Sequence, residues 1–90
     1  MEKLTVIGRR WFEKTNGNTY HSVEVYQGNK QLVRIPFAYG YGSQWKQTAF
    51  QELVKLGIYQ DTPECYRQFH FSDGDGHLFS VTDVSRKKDL

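Results

Sequence analysis

The sequence has little cysteine and no excess of charge of either sign. Its single cysteine, Cys65, rules out an intramolecular disulfide, a cysteine-rich zinc site and a CxxC redox motif. Twelve Lys and Arg residues stand against ten Asp and Glu residues, and the net charge of +2 falls short of the basic footprint of a dedicated nucleic-acid coat. These absences favour a reducing compartment, and they mean that any nucleic-acid role must depend on a local patch.

Long apolar runs are also missing. The N-terminus lacks the apolar core of a signal peptide, and no stretch approaches the roughly 20 apolar residues of a membrane span. We therefore expect a soluble, cytoplasmic protein with no membrane partner. Its 90 residues suit one domain, and no linker or repeat divides them. We expect a single domain over residues 1–85 and a basic tail over residues 86–90.

Turn signals and alternating apolar residues predict three antiparallel strands in the N-terminal half. Asn16-Gly17 separates the first two strands, and both residue types tolerate the positive φ angles of a type I′ hairpin. Gly28-Asn29-Lys30 then turns the second strand into the third. Side chains alternate between the two faces of a strand, which leaves Tyr20 and Tyr26 facing solvent. The core side of these strands should hold Val23, Val25, Val33, Ile35 and Phe37.

A helix follows a glycine-punctuated loop. Ser43 is the expected N-cap of a helix over residues 44–56, and Gly57 is a natural stop. Its apolar stripe should face the sheet. The stripe comprises Trp45, Ala49, Leu53 and Leu56.

The C-terminal third predicts a last hairpin. Asp61-Thr62-Pro63-Glu64 is suited to a short helical turn, because Pro is favoured at a first helical position. Residues 66–72 and 77–84 then read as two strands closed by Asp73-Gly74-Asp75-Gly76. The core candidates there are Phe69, Phe71, Phe79 and Val81. The predicted fold is therefore α+β, a mostly antiparallel sheet of about five strands in the order β-β-β-α-β-β, with one helix packed on one face.

Motifs that would carry chemistry are sparse. His21, His70 and His77 have no third metal ligand or nucleophile at a recognisable spacing, and solvent-facing strand positions explain them better. Asp73-Gly74-Asp75-Gly76 lacks the remaining oxygen ligands of a calcium loop and is better explained as a tight turn. The glycines at 40–42 precede a helix without the Lys-Ser/Thr pair of a phosphate-binding loop. We predict no catalytic residue, metal or cofactor, and hence no enzyme.

Aromatic and arginine residues are more numerous than a core this small requires. Such side chains are enriched at protein interfaces and on base-stacking platforms. The alternative for any single ring is that it covers the small sheet. We predict a partner-binding surface made of Tyr39, Tyr41, Trp45, Arg9, Arg10 and Tyr20.

Residues 19–56 resemble the C-terminal part of a double-stranded-RNA-binding domain. The resemblance covers three strands followed by a helix, with a set of residues around the helix start. That set comprises Gly40, Gly42, Ser43, Lys46, Ala49 and Leu53. The resemblance implies that the chain is a nucleic-acid-binding module, which is one alternative.

A second resemblance covers most of the chain. Residues 10–12 (Arg-Trp-Phe), 18–23 (Asn-Thr-Tyr-His-Ser-Val) and 36–42 (Pro-Phe-Ala-Tyr-Gly-Tyr-Gly) are similar to small proteins of bacteriophages and mobile elements. The resemblance implies an accessory protein in the host cytoplasm that binds and inhibits a host protein or nucleoprotein complex. An anti-defence role, such as an anti-CRISPR, is one form of this hypothesis. A homodimer paired through exposed strand edges is compatible with either alternative.

Overall fold

The computed structural model describes residues 3–71 and 74–90. The strands are β1 (Thr5–Glu13), β2 (Asn18–Gln27), β3 (Lys30–Tyr39) and β4 (Leu78–Val84). The helices are α1 (Gln44–Lys55) and α2 (Pro63–His70), and a 3-10 turn at Lys87–Asp89 follows β4. Neither helix in this part of the chain is long and apolar enough to cross a membrane.

The four strands form one mixed sheet. Its strand order is β3-β2-β1-β4, in which β1, β2 and β3 form an antiparallel meander and β4 lies parallel to β1. The α+β class is confirmed. The expected five or so antiparallel strands with one helix are only roughly right, because the described residues form four strands, one of them in a parallel pair, and two helices.

The predicted last hairpin is wrong in its first half. Residues 66–70 belong to α2, whose first residue is Pro63 and whose N-cap is Thr62. The Thr62 hydroxyl accepts a hydrogen bond of 3.1 Å from the Cys65 N–H, so the helical turn expected at Pro63 continues for 8 residues. Because β4 runs parallel to β1, the chain needs a crossover from β3, which the two helices provide. Ser72 and Asp73, part of the predicted hairpin, lie outside the described residues.

The first hairpin closes differently from the expected type I′ turn. Glu13 pairs with Asn18, so the loop has four residues, and the Glu13 carbonyl accepts a hydrogen bond from the Gly17 N–H at 2.9 Å. Gly17 has a φ of 71° and Asn16 is not in the positive region, whereas a type I′ turn needs two such residues. The second hairpin is tighter, with Gly28 at a φ of 59°.

The core lies between the inner face of the sheet and the helices. Val23, Val25 and Val33 are buried as predicted, and Ile35 packs against them. From α1 the core receives Trp45, Ala49, Phe50 and Leu53. Leu56, the last residue of the predicted stripe, is exposed. Of the C-terminal candidates, Phe69 is fully buried and Phe79 partly so, whereas Phe71 and Val81 are exposed.

The ends of α1 match the predicted residues. Ser43 occupies the N-cap position, although its side chain makes no capping hydrogen bond. At the other end Gly57 has a φ of 79°, and its N–H donates to the Val54 carbonyl at 2.9 Å. The Ile58 N–H donates to the Leu53 carbonyl at 3.0 Å, which completes a Schellman motif.

Trp45 joins α1 to the sheet at a glycine. A Cβ atom on Gly8 of β1 would lie 2.6 Å from two Trp45 ring atoms, so only glycine leaves room for the indole there. The same ring meets Phe79 edge-on, with centroids 6.1 Å apart. Trp45 is 3% exposed as a result.

Candidate interaction surface

Four aromatic side chains form a cluster on the outer face of the sheet, which we call the aromatic patch: Trp11, Tyr20, Phe37 and Tyr39. Tyr20 lies at its centre and stacks on Phe37 with centroids 4.7 Å apart and on Trp11 at 5.8 Å. Tyr39 meets Tyr20 edge-on at 5.6 Å. Phe37 and Tyr39 remain 43% and 64% exposed, so the patch presents rings that are already ordered by their neighbours.

A bulge in β3 creates this patch. Ala38 pairs with His21 and Ile35 pairs with Val23, so β3 has one more residue than β2 between these two pairs. The extra residue reverses the alternation beyond Ile35. Phe37, predicted on the core side, is therefore turned outward.

Tyr41 extends the exposed aromatic surface beyond the sheet. It is 75% exposed and, together with Tyr39, lines an open recess of about 550 Å³ in the loop before α1. The loop is tied to the fold at two points. The Gly40 N–H donates to the Thr19 carbonyl at 3.0 Å, and Nη1 of Arg10 donates to the Gly42 carbonyl at 3.1 Å.

His21 anchors the same loop from below. This histidine is fully buried, contrary to the solvent-facing position predicted for it. Nδ1 lies 3.1 Å from the Gly40 carbonyl, which only accepts, so Nδ1 carries the proton and Nε2 accepts from the Thr48 hydroxyl at 2.7 Å. Burial lowers the pKa of His21, against the opposing effect of the Gly40 carbonyl. The neutral ring thus links β2, the loop and α1.

The predicted basic residues do not form one surface. Arg9 lies on the outer face, where it and Arg34 both contact the Glu24 carboxylate, at 3.4 and 3.0 Å. Arg10 points to the opposite face, because adjacent strand residues alternate, and its Nε lies 2.8 Å from a carboxylate oxygen of Asp83. Arg10 therefore supports the loop rather than extending the outer face.

Trp45 does not lie on the predicted contact surface. We predicted it as a contact residue with Tyr39 and Tyr41, but its ring is buried against Gly8. Of the six predicted contact residues, the structure brings three aromatic residues and Arg9 to or beside the outer face. These are Tyr20, Tyr39, Tyr41 and Arg9.

Three members of this surface were not predicted from the sequence. Trp11 and Phe37 were not selected, and the tail residue Lys87 places its ammonium 4.7 Å from the Phe37 ring centroid. The position of Trp11 was predictable from the sequence. It lies two residues after Arg9, so both side chains point to the same face of β1, and Trp11 should face Tyr20 across the hairpin. The orientation of Phe37 was not predictable in this way, because it depends on the bulge in β3. Lys87 lies in the 3-10 turn after β4, and its approach to Phe37 depends on the course of the tail.

A buried polar chain lies on the other side of the molecule. The Leu4 N–H donates to Nδ1 of His77 at 2.9 Å, which leaves the proton of the neutral ring on Nε2. Nε2 then donates to the Tyr59 hydroxyl at 2.7 Å, and that hydroxyl donates to an Asp75 carboxylate oxygen. His77, like His21, is buried rather than solvent-facing.

This chain of hydrogen bonds occupies both nitrogens of His77. Burial lowers the pKa of His77, and burial followed by the nearby Asp75 carboxylate raises the pKa of Tyr59. Both ring nitrogens of His77 are bonded and the ring is closed to solvent. The arrangement ties β1 to the segment before β4. His70, expected on a strand, lies on α2 and stacks on Tyr66 with centroids 5.4 Å apart.

Within residues 3–71 and 74–90, no three His, Cys, Asp or Glu side chains converge as a metal-binding group. Comparisons with known proteins add nothing to the geometry. No family model, curated protein or solved structure matched the chain. Any functional conclusion therefore depends on the outer face and the loop beside it.

Proposed function

We propose that this chain is a small, non-enzymatic binding protein of the phage or mobile-element accessory kind. In this proposal it binds and inhibits a host protein or nucleoprotein complex, as an anti-defence protein does, through the aromatic patch and the adjoining Tyr41. The observation that supports the proposal most strongly is the exposure of Tyr39 and Tyr41, at 64% and 75%, on a backbone that is held in place.

Preorganisation is what makes these rings suitable anchors. A binding site loses affinity when side chains and loops must be ordered on association, and tyrosine has few torsions to fix. Tyr39 already contacts Tyr20, and the loop carrying Tyr41 is hydrogen-bonded on both sides of that residue. Contact with a partner would thus bury aromatic surface at a low cost in conformational entropy.

The charge arrangement favours a protein contact over a phosphate backbone. Glu24 is shared by Arg9 and Arg34, and Asp83 is bonded to Arg10, so these three guanidinium groups already have carboxylate partners. A nucleic-acid site gains most of its affinity from cations that neutralise phosphates. An interface with a protein instead uses aromatic anchors at its centre and paired charges at its rim.

The experiment is a pull-down from lysate of a bacterial host, comparing the wild type with Tyr41→Ala and with the double variant Tyr39→Ala/Tyr41→Ala. Tyr26→Ala is the matched control, because Tyr26 lies at the other end of the same face, where Gln31 bonds its hydroxyl at 3.0 Å. Loss of an aromatic hot spot costs about 2 kcal/mol or more, so a specific partner should be retained at least about tenfold less by the double variant. Equal retention by all four proteins would remove this surface from consideration.

A nucleic-acid-binding module is the second candidate. The stacked rings with the Lys87 ammonium above Phe37 are features of a base-stacking platform. Binding of this kind should weaken steeply as salt rises, because fewer counterions are released. Gel shifts with duplex RNA, duplex DNA and single strands test it, and an absence of shifted bands at low salt would eliminate it.

A further inference from the structure

The sheet has two edges, and only one of them is protected. The β3 edge carries Lys30, Arg34 and Pro36 and has two register shifts against β2. Such charges, prolines and irregularities block edge-to-edge pairing. β4 contains no Lys, Arg or Pro, and its register with β1 is regular from Leu78 to Val84. Its one charged residue, Asp83, is already bonded to Arg10.

The outer edge of β4 has backbone groups with which no described strand pairs. The Leu78 N–H donates to the Leu4 carbonyl at 2.9 Å, so Leu78 directs its backbone groups toward β1. Every second residue of such a strand does the same, and the residues between them direct both N–H and C=O to the other side. These outward residues are Phe79, Val81 and Asp83. No other described strand pairs with this edge.

We propose that a second copy of this chain pairs antiparallel with β4 about a twofold axis at Val81, which joins the two sheets into one. The strand spans residues 78–84, so Val81 is its middle residue. An isologous contact requires the strand to complement itself. About this axis, Leu78 faces Val84 of the second copy, Ser80 faces Thr82, and Val81 faces itself. Leu78 thus meets an apolar residue and the hydroxyls of Ser80 and Thr82 meet, whereas Phe79 meets Asp83.

The hydrogen-bonding pattern fits the same axis. In an antiparallel pair, facing residues that direct their backbone groups at each other exchange two hydrogen bonds. Val81 directs its groups outward and faces itself, and Phe79 faces Asp83 of the second copy, whose groups also point outward. A register shifted by one residue, in which Val81 faces Ser80 or Thr82 of the second copy, would set outward-directed groups against inward-directed ones and form none of these bonds.

Side-chain exposure supports the pairing. Leu78 and Val81 are 63% and 39% exposed, and a paired strand would cover part of each. Asp83 would face Phe79 across the join, but its carboxylate is already bonded to Arg10. This dimer leaves Tyr39 uncovered, because Tyr39 belongs to β3 at the opposite edge of the sheet. It does not depend on the proposed function, and each can fail separately.

The test is the molar mass from sedimentation equilibrium over a range of protein concentrations. The wild type should be a dimer, and Val81→Pro should be a monomer, because proline removes an N–H that faces away from β1 and so leaves the existing ladder intact. Val81→Lys should also be a monomer, since two like charges would meet at the axis. Gln31→Lys, which adds the same charge at the β3 edge, should remain a dimer. Circular dichroism and urea unfolding verify that each variant is folded.

Paired charges test the register. Ser80→Glu/Thr82→Lys places opposite charges face to face across the axis, and Ser80→Lys/Thr82→Lys places like charges there. We expect the dissociation constant of the first variant to be at least about tenfold lower than that of the second, since each pair occurs twice. Equal dissociation constants would overturn the axis at Val81. A wild type that stays monomeric at the highest concentration, or a dimer that persists in both Val81 variants, would overturn the proposal altogether.

Discussion

The backbone N–H of Leu4 donates a hydrogen bond of 2.9 Å to Nδ1 of His77, which lies 73 positions later in the chain. The bond requires His77 to be neutral, because a protonated ring has no lone pair to accept it. His21 is buried in the same neutral state by its bonds to Gly40 and Thr48. The fold is thereby sensitive to acid at two buried positions.

We expect the free energy of unfolding to fall as the pH is lowered from neutrality. Burial lowers the pKa of both His77 and His21 in the folded state, whereas the unfolded chain takes up these protons near the ordinary value of about 6.5. The unfolded state therefore binds more protons below that pH. The stabilisation is fully present above about 6.5 and is lost as the pH falls through the folded pKa values. Urea unfolding at a series of pH values measures it.

The variant His77→Phe is the control for this pH dependence. It cannot titrate, and it leaves the Leu4 N–H without an acceptor, which costs about 1–3 kcal/mol near neutral pH. Its free energy of unfolding should then depend less on pH than that of the wild type, with His21 and His70, whose pKa values burial also lowers, supplying the remainder. Parallel pH profiles for the two proteins would contradict the role given to His77.

The contact between Gly8 and Trp45 predicts a large effect for a single methyl group. Gly8→Ala would place its Cβ 2.6 Å from the indole, and overpacking of this kind costs about 1–3 kcal/mol. Trp45→Leu opens space at the same point, so the double variant should lose less than the sum of the two single losses. Additive losses in urea unfolding would show that the two residues are not coupled.

The two helix N-caps should differ in their energetic value. The Thr62 hydroxyl accepts a hydrogen bond from the Cys65 N–H, whereas the Ser43 side chain makes no capping bond. Thr62→Ala should therefore cost about 1 kcal/mol and Ser43→Ala should cost less than half of that. Urea denaturation of the pair tests this directly, since both variants remove a hydroxyl at the same helical position. Equal losses would refute the distinction.

Sequence reasoning succeeded where local patterns determine the structure. Alternation predicted the burial of Val23, Val25 and Val33, and the apolar stripe before Gly57 predicted α1 to within one residue at its end. It also placed Trp45 on that stripe, which should have argued against exposure. The burial itself depends on the absence of a side chain at Gly8, a residue 37 positions earlier, and no local pattern contains that information.

The errors came from long-range pairing and from an irregularity. Aromatic residues at 66–71 suit a strand as well as a helix, whereas Thr62-Pro63 is a helix start, and α2 begins there. The parallel pairing of β4 with β1 joins the two ends of the chain and has no local signature. The bulge before Ala38 reverses the side-chain alternation, which explains why Phe37 was assigned to the wrong face.

The Glu24 carboxylate is the ionic partner of both Arg9 and Arg34 on the outer face. Glu24→Gln would leave Arg9 and Arg34 without their ionised partner, so we expect a modest loss of stability, on the order of 1 kcal/mol. Binding to an anionic polymer such as heparin should increase, because two guanidinium groups become free. Elution from a heparin column at rising salt measures this change. Asp83→Asn is the matched control, because it removes the carboxylate partner of Arg10, which lies on the other face of the sheet.

The proposed function requires that the aromatic patch and Tyr41 contact the partner. It is tested most directly by a photo-crosslinking amino acid placed at position 39, 41 or 26 in cells of a bacterial host, with the products identified by mass spectrometry. We predict one common crosslinked product from positions 39 and 41 and none from position 26, which lies at the far end of the same face. A product from position 26 alone, or the same products from all three positions, would contradict the account.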